Sequence, residues 1–145
     1  MAQVTATAER TIDAPVEKVR ELVADYAGTR PRILTEQYRD YEVIEGGKGA
    51  GTKAKWKLQA TSKRVRDVAV TVTEPEPGKL VETDGNSSMV TTWTVREAGA
   101  GRSLVRIETT WQGAGGIGGF FEKTFAPAGL KRIYDGVLGK LAEVA

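Results

Sequence analysis

Strict alternation of apolar and charged side chains constrains the middle of this chain more than any other feature. From Thr52 to Ala60 every second residue is apolar or small, and lysine or glutamine stands at the positions between them. Successive side chains of a β-strand point to opposite faces, so this pattern predicts a strand with one buried and one solvated face. Such strands are typical of antiparallel sheets.

The last hairpin has the same period and turns at residues 98–101. Because a shift of one residue would move every side chain to the other face, the apolar positions determine the register. On one face this register forms the pairs Val95 with Val105, Trp93 with Ile107, Thr91 with Thr109, and Met89 with Trp111.

An earlier hairpin turns at residues 61–62 and follows the same rule. Its register forms the pairs Trp56 with Val68, Ala54 with Val70, and Leu58 with Arg66. One face of the predicted sheet therefore carries all three tryptophans, two threonines, several small residues and an arginine.

Helical spacing of apolar residues is confined to two parts of the chain. Asp13-Ala14-Pro15 combines a capping carboxylate with a proline in the first turn, which is typical of a helix start. A second short helix is predicted over residues 31–35. Near the end, one apolar stripe comprises Leu130, Ile133, Tyr134, Val137, Leu138 and Leu141. The order of elements predicts a single α+β domain over residues 1–145, an antiparallel sheet covered by a C-terminal helix.

The 145 residues include neither histidine nor cysteine. This excludes Ser-His-Asp and Cys-His nucleophiles, Cys/His zinc sites and histidine-ligated haem. Any acid–base chemistry would fall to carboxylates, lysine or tyrosine. We therefore expect no metal and no cofactor.

Charge and hydropathy restrict the partners. The formal net charge is only +2, which does not indicate nucleic-acid binding. No apolar run approaches the roughly 20 residues that span a bilayer, so we expect no stable membrane insertion. The N-terminus lacks the basic and apolar regions of a signal peptide, so we expect a cytoplasmic protein. We also expect a monomer.

Several segments resemble the START-like (SRPBCC) superfamily. They are residues 12–19, the glycine-rich turn 46–51 before the alternating strand, and the terminal helix after the second glycine cluster, 113–119. This superfamily includes polyketide cyclases and dehydrases, lipid-transfer START domains and birch-pollen-allergen-like proteins. Residues 56–67 and 113–122 resemble actinobacterial members in particular.

The resemblance implies a helix-grip fold. In that fold a curved, seven-stranded antiparallel sheet wraps around a long C-terminal helix, two short helices follow strand 1, and an apolar cavity lies between sheet and helix. Many members carry an aromatic residue where this chain has Arg20, and a tryptophan where it has residues 29–32. The entrance of the cavity is therefore expected to differ.

The tryptophan-bearing face has two interpretations: a packed core, or the wall of a partly hollow pocket. An inward Arg66 would bind a carboxylate or phenolate. The candidate ligand-binding residues are Trp56, Arg66, Val68, Val70, Met89, Thr91, Trp93, Ile107, Thr109, Trp111, Phe121, Phe125 and Tyr134.

The favoured function is binding or transport of a hydrophobic small molecule, such as a lipid, fatty acid, quinone or polyketide-like ring. The alternative is a metal-free enzyme of the polyketide cyclase/dehydrase type, with a carboxylate or tyrosine as proton carrier. Asp67 and Glu108 are predicted to face outward, whereas the orientation of Glu82 and Asp84 is open. We assign no catalytic residue.

Two further features have alternative interpretations. Lys53, Lys55 and Lys57 share the outer face of one strand, which either protects the strand in solvent or docks an acidic partner such as an acyl-carrier protein.

The glycines of 46–51 lack the ending of a phosphate-binding loop and predict a hairpin loop. Those of 113–119 form either a connection close to the sheet or a portal to the cavity.

Overall fold

Seven antiparallel strands form one sheet in the computed structural model, which describes residues 3–61, 64–112 and 127–145. The sheet order is β1-β7-β6-β5-β4-β3-β2, so six consecutive strands form a meander and β1 closes against the last. The elements are β1 (Gln3–Ile12), α1 (Val16–Ala24), α2 (Arg30–Ile33), β2 (Tyr38–Glu45), β3 (Lys53–Thr61), β4 (Arg64–Glu76), β5 (Lys79–Asp84), β6 (Val90–Glu97), β7 (Ser103–Gln112) and α3 (Pro127–Val144).

The predicted register of both hairpins is confirmed within the strands; Met89 lies just before β6, so its predicted pair with Trp111 is not part of the ladder. In the last hairpin Trp93 pairs with Ile107 and Thr91 with Thr109. In the earlier hairpin the observed pairs are Trp56 with Val68, Ala54 with Val70, and Leu58 with Arg66. The alternating pattern determined these registers because a slip by one residue would expose the whole apolar set.

The C-terminal helix α3 lies on the apolar face of the curved sheet, with its main contact along β1. Its predicted stripe is buried from Leu130 to Leu141. Together with α1 and α2 this confirms the α+β helix-grip fold. One detail of α1 is wrong: the helix begins directly after Pro15 with no side-chain cap, so Asp13 does not have the predicted capping role.

The first glycine cluster forms the β2–β3 hairpin loop and also holds the end of α1. Gly47 accepts backbone hydrogen bonds from Tyr26 and Ala27, and Gly49 donates one to Ala24. Gly46, Gly47 and Gly49 have φ angles of 71°, 141° and 59°, a region that side chains other than glycine rarely adopt. The glycines therefore let this loop lie against the chain that leads into α2.

The lysine-bearing face is partly neutralised by neighbouring strands. Lys53 lies 4.0 Å from Glu45 and Lys55 lies 3.6 Å from Glu42, both on β2. Lys57 is directly opposite Asp67 on β4. The basic run in the sequence is therefore part of a mixed-charge surface, the usual environment of exposed strands.

Two glycines of α3 provide a matched test of helix packing. Gly139→Ala is expected to raise the free energy of unfolding by about 1 kcal/mol, because alanine favours helix and the new methyl group would meet only Arg10 Nη1, at 3.9 Å. Gly136→Ala is expected to bring no gain, since its Cβ would lie 3.0 Å from Cγ2 of Thr35. Urea unfolding of both variants measures the difference.

The control removes the obstructing methyl group. In a Thr35→Ser background, Gly136→Ala should recover the gain of about 1 kcal/mol seen at Gly139. Equal gains at both glycines in the wild-type background would contradict close packing of α3 against the α2–β2 connection.

Candidate functional site

A buried ion pair lies between α2 and β5. Nη1 of Arg30 donates to Oε2 of Glu82 at 2.9 Å, and each side chain is only 3% exposed. The hydroxyl of Tyr26 donates to the same oxygen at 2.6 Å. Arg30 and Tyr26 therefore both donate to the same carboxylate oxygen of Glu82, Oε2. A buried charged pair in this fold is costly unless its partners are satisfied, so its presence marks a candidate site.

The turn between α1 and α2 positions Arg30. The carboxylate of Asp25 accepts backbone hydrogen bonds from Gly28 and Thr29, and one from the Thr29 hydroxyl. These bonds, the one from Gly28 first, lower the pKa of Asp25. The backbone N–H of Arg30 then donates to the carbonyl of Asp25 at 3.0 Å. The turn is thus held in one geometry, and Arg30 follows it directly into the interior.

The guanidinium of Arg30 lies between two aromatic rings. Its central carbon is 4.2 Å from the ring centre of Tyr26 and 4.6 Å from that of Trp93, both within cation–π range. Nη2 also reaches the carbonyl of Val23 at 3.5 Å. Burial by itself would lower the pKa of Arg30. The attraction of Glu82, together with the other interactions, outweighs burial and raises this pKa above its usual value. Arg30 therefore remains a cation.

All four tyrosines of the chain have raised pKa values, and burial is the main cause in each. The pKa of Tyr41 and that of Tyr134 rise to about 12. For Tyr26 the negative charge of Glu82 acts in the same direction as burial. At neutral pH these hydroxyls consequently keep their protons.

A chain of three hydroxyls extends from the sheet to α3. The Thr91 and Thr109 hydroxyl oxygens are 2.7 Å apart, and that of Thr109 is 2.5 Å from the hydroxyl oxygen of Tyr134. Thr91 and Thr109 are cross-strand neighbours on β6 and β7. This chain satisfies polar groups that would otherwise be costly to bury, and it joins the helix to the sheet.

The ion pair and the hydroxyl chain meet at one small pocket between the sheet and the helices. The free space in it is about 20 Å³, which corresponds to roughly one water molecule. Trp56 forms one wall, with its ring centre 6.1 Å from that of Tyr38 and 5.9 Å from that of Tyr41. The lining residues are Arg30, Leu34, Tyr38, Tyr41, Trp56, Leu58, Glu82, Met89, Thr91, Trp93 and Tyr134.

Two residues that line this pocket carry buried N–H groups with no hydrogen-bond partner among the described residues. The two groups are Nε1 of Trp56 and Nε of Arg30. Nearly all buried donors in folded proteins are paired with protein or with ordered water, so an unpaired donor beside free space indicates a place for an acceptor.

The structure brings together some of the predicted ligand-binding residues. Those that line the pocket are Trp56, Met89, Thr91, Trp93 and Tyr134. Those buried in the surrounding core are Val68, Val70, Ile107, Thr109 and Trp111. Arg66 is half-buried on β4 opposite Leu58 and is not among the residues that line the pocket. Phe121, Phe125 and the second glycine cluster lie outside the described residues.

The four candidate carboxylates separate clearly. Asp67 is exposed and Glu108 is paired with Arg106 at 2.9 Å, as their predicted outward orientation implies. Asp84 is buried but structural, because it accepts hydrogen bonds from the backbone N–H of Ala69 on β4, the backbone N–H of Asn86 and the Ser87 hydroxyl. Only Glu82, of these four, lines the pocket.

Arg30, Tyr38 and Tyr41 were not among the predicted site residues. Arg30 lies in residues 29–32, which stand out in the sequence only as a departure from the family pattern. The available signal was an arginine directly before a proline in a short helix, which by itself does not distinguish an exposed cation from a buried one.

An antiparallel sheet wrapped around a long helix, with a small pocket lined in part by aromatic residues, defines a protein of the helix-grip fold. The chain belongs to the polyketide cyclase / dehydrase and lipid transport family, whose profile matches residues 2–145. No curated protein matches it.

Solved structures extend this comparison over the whole chain. The KanY protein, solved by NMR, is 52% identical, with 99% of this chain and 98% of that chain covered and a TM-score of 0.89. TTHA0849 from Thermus thermophilus is 20% identical over 97% and 95% of the two chains, with a TM-score of 0.74. A START superfamily protein from Mycobacterium smegmatis is 11% identical over 99% of each chain, with a TM-score of 0.70. The last two show a shared fold.

Among the described residues, none of the helices combines the length and the apolar character that a bilayer crossing requires.

Proposed function

We propose that this protein binds a hydrophobic small molecule in the pocket between the sheet and α3. The observation that carries the proposal is the convergence of aromatic walls with two unpartnered buried N–H groups, on Trp56 and Arg30. Apolar lining with a few directed polar groups is the usual form of a small-ligand site. Membership of a family described by polyketide cyclisation and lipid transport supports the same function.

Binding requires this pocket to widen, since its free space of about 20 Å³ is far below the size of a ring compound. The α2–β2 connection is the part of the wall that we expect to move. It comprises Leu34 and the few residues before Tyr38. Beside it lies a groove of about 280 Å³, which Thr35 and Gln37 line from the connection. On the helix side the groove is lined by Arg132 and Ile133 and by two glycines, Gly129 and Gly136, which contribute no side chain.

Binding is favoured over catalysis because of how Glu82 is held. Its carboxylate is held through Oε2 by Arg30 and by the Tyr26 hydroxyl, which makes it the counter-ion of a buried arginine. The tyrosines are also poor proton carriers at neutral pH, since burial raises the pKa of each. A cyclase or dehydrase of this type would need a group closer to neutrality.

A fluorescence titration tests the proposal. N-phenyl-1-naphthylamine, an uncharged dye that brightens in apolar surroundings, should bind the wild-type protein with one site. Leu34→Trp should weaken this binding about tenfold or more, because the added indole occupies space at the pocket that the dye needs. Native mass spectrometry of the purified protein should detect a co-purifying ligand.

The matched control adds the same side chain elsewhere. Ile44→Trp places an indole on the exposed part of β2, where Ile44 is 53% exposed, and should leave dye binding unchanged. Absence of dye binding to the wild-type protein, or equal weakening by both variants, would overturn the proposal.

A further inference from the structure

The charges around the pocket cancel. Arg30 is the cation and Glu82 the anion among the described lining residues, and they are bonded to each other at 2.9 Å. The tyrosines Tyr38, Tyr41 and Tyr134 keep their protons at neutral pH. The described lining therefore has no net formal charge, although it contains a buried arginine.

An anionic ligand would gain little from this arginine. Glu82 already supplies the counter-charge, so a carboxylate entering the pocket would add an uncompensated negative charge in a poorly hydrated place. Two of the three guanidinium nitrogens are also engaged, Nη1 with Glu82 and Nη2 with the carbonyl of Val23. A cation would face the same penalty, because Glu82 is already paired.

The unpartnered groups are donors. Nε1 of Trp56 and Nε of Arg30 each present one N–H and accept nothing. A ligand that satisfies them needs an acceptor oxygen, and a carbonyl oxygen supplies it without charge. The aromatic walls of Trp56, Tyr41 and Trp93 suit a planar ring that carries this oxygen.

We infer that the pocket takes an uncharged, carbonyl-bearing ring compound, and that Glu82 excludes carboxylates such as fatty-acid anions by neutralising Arg30. The inference rests on the proposed binding function and assigns Glu82 as a specificity-determining residue. Of the hydrophobic ligands expected from the sequence, it excludes fatty acids in their anionic form.

Two nearly isosteric probes test it. 2-Acetonaphthone is an uncharged methyl ketone, and 2-naphthoate carries a carboxylate on the same ring. At pH 7 the wild-type protein should bind the ketone at least about tenfold more tightly, measured by competition with N-phenyl-1-naphthylamine. Trp56→Phe, which keeps an aromatic wall but removes one N–H, should weaken ketone binding about fivefold.

Glu82→Gln is the decisive variant. Glutamine keeps an acceptor for Arg30 and Tyr26 but removes the negative charge, so the preference should reverse in favour of naphthoate. The double variant Arg30→Met/Glu82→Gln is the control, because it restores neutrality and should not gain naphthoate binding. If Glu82→Gln does not fold, the wild-type preference between the two probes decides.

The possible failures are distinguishable. A wild-type protein that prefers naphthoate, or a folded Glu82→Gln variant that gains no naphthoate binding, would overturn the charge-based selection. Binding of the dye with neither naphthalene probe would overturn this inference alone. Binding of none of the three would overturn the proposed function as well.

Discussion

Replacing Arg30 by methionine is expected to lower the free energy of unfolding by about 3–5 kcal/mol. The substitution keeps an apolar stem of similar length but leaves the carboxylate of Glu82 buried with only the Tyr26 hydroxyl as partner. It also removes the guanidinium from between the rings of Tyr26 and Trp93. An uncompensated buried charge is far more costly than the loss of one exposed ion pair, which is worth at most about 1 kcal/mol.

A double-mutant cycle separates the charge from the packing. Arg30→Met/Glu82→Gln removes both charges, and the glutamine still accepts the Tyr26 hydrogen bond. We expect the double variant to recover at least about 2 kcal/mol relative to Arg30→Met alone. Urea unfolding followed by tryptophan fluorescence and by circular dichroism supplies the free energies.

An exposed pair gives the matched comparison. Lys131 and Asp135 lie 2.9 Å apart on the surface of α3, so Lys131→Met should change the free energy of unfolding by less than about 1 kcal/mol. If Arg30→Met were equally mild, Glu82 would have to be hydrated in the folded protein, and the buried pair would not exist in solution.

Raising the pH from 10 to 12 is expected to unfold the protein cooperatively. An unfolded tyrosine loses its proton near pH 10, whereas folding raises the pKa of Tyr134 to about 12 through burial. Between these values the unfolded state binds fewer protons than the folded state, so stability falls as pH rises. The stabilisation is fully present below pH 10 and is lost by about pH 12.

The expected loss of stability at high pH is large because the pKa of every tyrosine is raised. For Tyr134 the difference corresponds to about 3 kcal/mol. Tyr26, Tyr38 and Tyr41 contribute in the same direction, and the contributions of Tyr38 and Tyr41 are smaller because both are partly exposed. Their sum is a large part of the roughly 5–15 kcal/mol that stabilises an ordinary domain.

Absorbance of the phenolate at 295 nm and far-UV circular dichroism should therefore change together, in one steep transition above pH 10. Tyr134→Phe should move the midpoint to higher pH, since one group that ionises on unfolding is gone. A gradual rise of absorbance centred on pH 10, with unchanged circular dichroism, would show that the tyrosines are solvated and contradict the buried site.

The sheet was predictable because its information is local. Around Trp56 apolar and polar residues alternate, and around Trp93 the large apolar residues Trp93 and Val95 share one face with Ile107 and Val105 of the partner strand. Only one register keeps these residues inside. The long helix was equally predictable, since the stripe from Leu130 to Leu141 has a single helical face. The predicted capping role of Asp13 is wrong because α1 begins at Val16, directly after Pro15, and no side chain caps it.

The candidate site was predictable only for those of its residues that lie on the core face of an alternating strand. Trp56, Thr91 and Trp93 line the pocket and follow from the alternation. β5 was ambiguous, because Leu80 lies on the same face as Glu82 while Val81 lies on the other, so neither face is clearly apolar. No periodicity could orient such a strand.

By itself the sequence determined the α+β architecture, the strand register and the absence of any histidine or cysteine chemistry. Only the tertiary structure decided that Arg30 and Glu82 meet, because they are 52 positions apart and belong to a four-residue helix and an ambiguous strand. Each is a charged residue that pattern alone assigns to solvent. Burying one requires the other, and that dependence exists only once the sheet has brought β5 beneath α2.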